Sequence, residues 1–185
     1  MPCRYKKQTD NQGFTLIEAI ITLAVASIII SMAAPSFINL LEKRRIAATM
    51  KGIYSNIQEA RSVAITEGIE ISSCLSLNGV TCTDKISHGT SGTFISFRGA
   101  TEPTEATWKS LGIRSTSIPS NTGQLTLSKF NGNSPMIQFQ ADGTTLLSAQ
   151  NGSIKLQANS PSLSKGLFIA RTGRLTIKSI PVQST

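Results

Sequence analysis

Apolar residues dominate one unbroken stretch near the start of the chain, from Gly13 to Pro35, where Glu18 is the only charge. About 20 such residues cross a ~30 Å hydrocarbon core as a helix. An isolated carboxylate inside that core costs roughly 2.5–3.5 kcal/mol even on the lenient insertion scale, so Glu18 calls for a partner or a job. Arg4, Lys6 and Lys7 precede the stretch against the single acid Asp10, and that positive bias holds the first residues in the cytoplasm and sends the rest out. Two plain readings of the stretch are a signal anchor in which Glu18 snorkels and a secretory signal peptide cut at Ser31-Met32-Ala33. The second usually has an apolar core of only ~7–15 residues.

After Pro35 the apolar positions become periodic: Phe37, Leu40, Leu41, Ile46, Met50, Ile53, Ile57, Ala60 and Ala64 recur at helical spacing. Gly68 is a natural stop. The pattern predicts one helix from about Thr15 to Glu67, bent at Pro35, which lacks the N–H that the helix ladder needs. Its first half is apolar all round. Its second half is amphipathic, with Glu42, Lys43, Arg44, Arg45, Lys51, Glu59 and Arg61 assigned to the wet side and one stripe to a domain.

From about Ile69 the period shortens to that of strands. Candidates are 69–74, 80–83, 93–97, 124–127, 136–140, 144–147, 153–157, 167–170 and 174–178, with Asp142-Gly143 and Asn151-Gly152 marking reversals. Residues 98–123, with Pro103, Pro119 and many hydroxyls, read as a long loop. The fold class is therefore α+β, a long N-terminal helix packed on an antiparallel β-rich domain. The divisions are 1–13, a leader; 14–41, the membrane or assembly part of the helix; 42–68, its amphipathic half; and 69–185, the β-rich domain.

A length of 185 residues allows about one globular domain beside the apolar segment. The net charge of +8 changes the picture only through its distribution. From Phe14 to Trp108 there are seven Lys or Arg against eight Asp or Glu; from Lys109 onward there are eight against Asp142 alone. A one-sided excess of this kind attracts a polyanion or an anionic surface, or simply keeps the domain soluble.

Cys74 and Cys82 form an even pair that reads as a disulfide outside the cytoplasm, with free thiols or a metal site as alternatives. A three-residue loop, Leu77-Asn78-Gly79 with Gly79 left-handed, would set the two directly opposite each other. Catalysis finds little support. His88 is the only histidine, and no nucleophile elbow, phosphate loop or dinucleotide fingerprint is present. No enzyme, cofactor or metal is expected.

Gly13-Phe14-Thr15-Leu16-Ile17-Glu18 resembles the prepilin processing motif of type IV pilins and type II secretion pseudopilins. The resemblance implies cleavage by a prepilin peptidase between Gly13 and Phe14, N-methylation of Phe14, and pairing of Glu18 with a neighbouring subunit's new N-terminus. A buried carboxylate is tolerable when paired in that way. Further motifs are similar to those of the GspH/FimT minor pilin group: the helix end 58–68, the Cys74–Cys82 hairpin, 92–97, 139–143 and the closing Gly173-Arg174-Leu175-Thr176-Ile177. Membership implies an inner-membrane subunit with a single span and a periplasmic domain, which then joins other pilins in a surface pilus. A minor pseudopilin of type II secretion is the alternative.

Some members of the group bind double-stranded DNA during natural transformation through a closing Gly-Arg-x-Arg pattern. Here Gly173 and Arg174 match, Thr176 replaces the second arginine, and Lys178 follows two residues on. Strand alternation turns Leu175 and Ile177 inward and Arg174, Thr176 and Lys178 outward, while Phe168 is placed in or near the core. Arg171 and Lys165 extend the basic surface. The candidate DNA-binding residues are thus Lys165, Arg171, Arg174 and Lys178, able to neutralise phosphates without reading sequence. The competing use of the same charges is to guard an edge strand against sheet-to-sheet pairing.

Overall fold

The computed structural model describes residues 14–101, 104, 112–127, 135–146, 152–158 and 161–180, without the side chains of 32–35 and 161. The expected leader, with Gly13, and the side chain of Pro35 lie outside the described residues. Two compact units are distinguished, Met1–Leu41 and Glu42–Thr185.

A single helix, α1, runs Leu16–Glu67. Thr15 caps its start, its hydroxyl accepting the Glu18 backbone N–H at 3.3 Å. Gly68 ends it at φ 66°, with its N–H donated to the Ala64 carbonyl. In the second unit Ile46, Met50, Ile53, Ile57, Ala60 and Ala64 form the buried stripe that the spacing predicts. Burying each of the four larger side chains contributes about 1.5–3 kcal/mol, so the stripe dominates docking.

Among the described residues nine strands follow: β1 Ile71–Ser76, β2 Lys85–Ile86, β3 Gly92–Arg98, β4 Gly112–Ile118, β5 Gln124–Leu127, β6 Met136–Phe139, β7 Gly152–Gln157, β8 Lys165–Ile169 and β9 Leu175–Ser179. They make a four-stranded sheet, β4-β3-β1-β6, and a five-stranded sheet, β2-β5-β7-β8-β9, with every pairing antiparallel. The helix stripe shares one core with Ile71, Leu75, Phe94, Ile118, Ile137 and Phe139 of the first sheet and with Leu125, Ile154, Leu156, Leu167, Ile169 and Leu175 of the second. The opposite face of the first sheet carries a smaller cluster of Cys74, Ile95, Phe97 and Met136. That is why β1 is buried along its whole length rather than alternating.

Three expectations need correcting. Residues 98–123 are not one long loop: β4 lies within them and pairs with β3 from Gly92↔Ile118 to Phe97↔Gly112. Its sequence carries isoleucine only near each end, so alternation is too faint to see. Residues 80–83 make no strand, because β1 already has β3 on one side and β6 on the other; Thr83 contributes a lone bridge to Leu75. For the same reason Cys82 is not opposite Cys74. The residues opposite Cys74 are Ile95 and Met136. The disulfide nevertheless forms with Cα atoms 5.6 Å apart, from a wider loop gathered on Asn78. The Asn78 side-chain oxygen accepts the N–H groups of Val80 and Thr81, and Gly79 takes φ 82°.

Beneath the helix a buried polar knot fixes its register on the first sheet. The Asn56 amide donates to the carbonyls of Phe94 and Arg114 and to the Thr116 hydroxyl, at 3.2–3.4 Å. Its oxygen accepts the Ser96 hydroxyl, which also bonds Ser73. Gly52 permits the approach, since a Cβ there would meet Thr116 Cγ2 at 2.9 Å.

Candidate functional sites

The first unit presents apolar side chains on all sides of the helix. Leu16, Ile17, Leu23, Ile28, Ile29 and Ile30 are each more than 60% exposed, and Phe14 is 83% exposed. A helix apolar all round is stable when lipid or other helices cover it. Its hydroxyls are satisfied within the helix, since Thr22, Ser27 and Ser31 donate to carbonyls three residues back at 2.7–2.9 Å. Glu18 is exposed in the first turn, among these apolar neighbours. Among the described residues no single helix is long and apolar enough to cross a membrane; Leu16–Ser31 taken with Ser36–Glu67 has the length and composition for it.

The second site is the closing hairpin of β8 and β9. Its turn is built from the helix outward. Arg61 donates Nε–H to the Gly143 carbonyl and Nη2–H to the Thr172 carbonyl, both at 3.0 Å, so one guanidinium ties two turns to α1. Thr145 adds a backbone bond to the Arg171 carbonyl at 2.9 Å. Gly173 has φ 74°, and a Cβ there would lie 2.4 Å from the Gly143 oxygen. This position therefore requires glycine. Arg61, assigned by its spacing to the wet side, is half-buried instead; it sits beside the Ile57–Ala64 stripe, which was the available clue.

Arg171 projects exposed from this turn, with Arg174 and Lys178 exposed beyond it. Arg174, Thr176 and Lys178 line an open groove of about 430 Å³ with Phe168 and Ala170. Phe168 is thus on the outer face, not in the core: Leu167 and Ile169 take the inward positions, and Phe168 pairs with Thr176. Reading those two aliphatics as the inward pair would have placed it correctly. Lys165 has the inward parity of Leu167 and pairs with Ser179, so it does not join the other three. Ile177 shares that parity but is 40% exposed, because β9 is the edge of the sheet.

Two basic residues not singled out by the sequence stand on the same outer face, Lys85 on β2 and Lys155 on β7, both exposed. Asp142 stands next to Gly143, the glycine packed against this turn. Hydrogen bonds from the Thr144 hydroxyl and backbone N–H hold its carboxyl below the usual range. His88 is exposed in the loop after β2. Among the described residues no three His, Cys, Asp or Glu side chains gather as metal ligands would.

A family model described as "Prokaryotic N-terminal methylation motif" matches residues 9–34, and one described as "Type II transport protein GspH" matches residues 49–173. Among solved structures, that of the type IV minor pilin FimU from Pseudomonas aeruginosa, in space group P21, is similar over 78% of this chain and 98% of that one, at 19% identity and a TM-score of 0.55. A second crystal form of FimU covers 75% and 98%, at 18% identity and a TM-score of 0.48. No curated protein matches. The first likeness shows a shared pilin fold.

Proposed function

This chain belongs to the GspH family and carries the N-terminal methylation motif, and from that premise we propose that it is a minor pilin of a type IV pilus whose outer domain holds DNA for uptake. The carrying observation is the exposed, all-round apolar start of α1 with Glu18 in its first turn. In the membrane that surface faces lipid; in a filament it faces other helices. The transfer brings little gain in apolar burial, so helix packing and the pairing of Glu18 with a neighbour's N-terminus set the register. The subunit is a structural one. It is stored in the inner membrane with its domain in the periplasm, after the peptidase has cut between Gly13 and Phe14 and Phe14 has been methylated.

The DNA-holding role is supported by Arg171, Arg174 and Lys178, exposed on one hairpin whose turn is fixed by Arg61. Phosphate contact needs no base readout and falls steeply with salt. A second reading, a minor pseudopilin of type II secretion, is favoured by the description of the matching family model. Glu18→Ala tests the assembly role: the variant reaches the membrane and is depleted from sheared filaments, whereas wild-type levels there contradict it. Filament type is tested by deletion. Loss of piliation and DNA uptake supports the first reading, and loss of protein secretion supports the second.

A further inference from the structure

The antiparallel registers of the five-stranded sheet place Lys85, Thr126, Lys155, Gly166 and Lys178 in one line, each the Cα partner of the next across β2, β5, β7, β8 and β9. Directly paired residues point to the same face. Here it is the outer face, because Ile154, Leu156 and Leu167 beside them enter the core. Neighbouring strands lie ~4.8 Å apart, so the three lysines are spaced about 10 Å from one to the next over roughly 19 Å. All three are exposed.

Two features separate this row from ordinary surface charge. Lys155 is on the middle strand of the sheet, so edge protection does not account for it. None of the five strands contains an aspartate or glutamate to offset the lysines; Asp84 stands just before β2. Gly166 leaves the row open between Lys155 and Lys178. The Phe168 ring covers that gap, 2.9 and 3.2 Å from where a Cβ at Gly166 would be. Two rows over, past Thr176, Arg174 continues the same face into the hairpin groove.

We propose that the outer face of this sheet is a track for duplex DNA lying across the strands, with Lys85, Lys155 and Lys178 each on a phosphate and the hairpin arginines at one end. The proposal rests on the DNA-holding reading above and extends its footprint from one hairpin to the whole sheet. A 19 Å row matches about five or six base pairs at ~3.4 Å per phosphate along each strand. A linear row of evenly spaced cations suits a linear polyanion better than a membrane, for which this face offers little apolar area beyond the half-buried Phe168, Ala170 and Ile180 among the described residues.

The test is a titration of the full chain in non-ionic detergent against a 30-base-pair duplex of arbitrary sequence, from 50 to 200 mM salt. Three proteins are compared: wild type, the double variant K85A/K155A and the double variant R171A/R174A. All four side chains are exposed, and circular dichroism checks folding. Each phosphate contact adds about 0.9 to the log–log salt slope, so K85A/K155A is expected to lower the slope by about 1.8. Over this fourfold salt range the wild type then loses about 12-fold more affinity than the variant. If K85A/K155A titrates like wild type while R171A/R174A weakens binding, the track is overturned and the hairpin reading stands. If only K85A/K155A weakens binding, the lysine row stands, and its arginine end falls together with the hairpin reading. A wild type that binds no duplex removes both. Equally lysine-dependent binding to phosphatidylglycerol vesicles, stronger than to duplex, overturns the assignment to nucleic acid.

Discussion

Arg61 and Gly173 occupy each other's limits: a Cβ at Gly173 would come within 2.6 Å of Arg61 Nε, the atom that holds the Gly143 carbonyl at 3.0 Å. The glycine of the closing Gly-Arg pair is thereby explained by a helix residue 112 positions earlier in the chain, Arg61. Basic side chains displayed by the hairpin are only as well placed as this contact.

Arg61→Ala is expected to cost about 2 kcal/mol, since hydrogen bonds from a charged donor contribute ~1.5–3 kcal/mol and one of the two is solvent-exposed. Amide exchange should accelerate at 142–145 and 170–174 while the helix stays protected. Arg61→Lys keeps the charge without the fork and should restore only part of the loss. Gly173→Ala adds left-handed strain to the clash and should be at least as costly. Unchanged exchange at both turns in Arg61→Ala would sink this account of the hairpin.

Asn56→Ala removes the donor shared by Phe94, Arg114 and Thr116 and the acceptor of Ser96. Leaving buried polar groups unpaired costs ~1–3 kcal/mol each, so a loss of about 2–4 kcal/mol in urea unfolding is expected. Asn56→Asp keeps the acceptor only and should fall no closer to wild type than halfway. A change below about 0.5 kcal/mol would show that the knot does not fix the helix.

The disulfide closes a short loop, with a sequence separation of 8, so chain entropy predicts about 2–3 kcal/mol from it. Cys74→Ser with Cys82→Ser should lower the thermal midpoint by several degrees. The same protein treated with a thiol reductant should match the double variant. A reduced wild type as stable as the oxidised one would contradict the estimate.

Acid should loosen the end of the helix. The hydrogen bond from Arg98, which also bridges to Glu67 at 2.6 Å, holds the Glu67 carboxyl below its ordinary value. A depressed folded-state value means that the stabilisation is fully present above the unfolded value and is lost as pH falls through the folded one. Asp142 is lowered in the same direction by Thr144. Urea midpoints should therefore fall as pH drops below the ordinary carboxylate range of about 4, and less so in Glu67→Gln with Asp142→Asn. Identical pH profiles for the two proteins would rule these groups out.

Much of this fold was legible because its strongest signals are periodic. The stripe Ile46 to Ala64 predicts the docked face of α1, and Gly68 its end. The five-stranded sheet is nearly all readable from 124–127, 153–157 and the closing pair. What escaped notice depends on contacts distant in sequence. Gly112–Ile118 shows no clear alternation and becomes a strand by pairing with β3. Arg61 looks like any surface arginine until the two turns arrive beneath it. The alignment of Lys85, Lys155 and Lys178 exists only in the register of five strands, since no spacing along the chain brings residues 85, 155 and 178 together. Phe168 and Lys165 were readable, because Leu167 and Ile169 already claim the inward side and Lys165 shares their parity.

The central claim is that a processed, methylated N-terminus and Glu18 make this chain a filament subunit. Intact mass and N-terminal sequencing of the protein taken from the membrane of its own host test it most directly. The account predicts a mature chain that begins at Phe14 with one added methyl group, and a Gly13→Val variant that retains all thirteen leader residues. A mature chain beginning anywhere else, or an uncut wild type in a cell with an active prepilin peptidase, would contradict it.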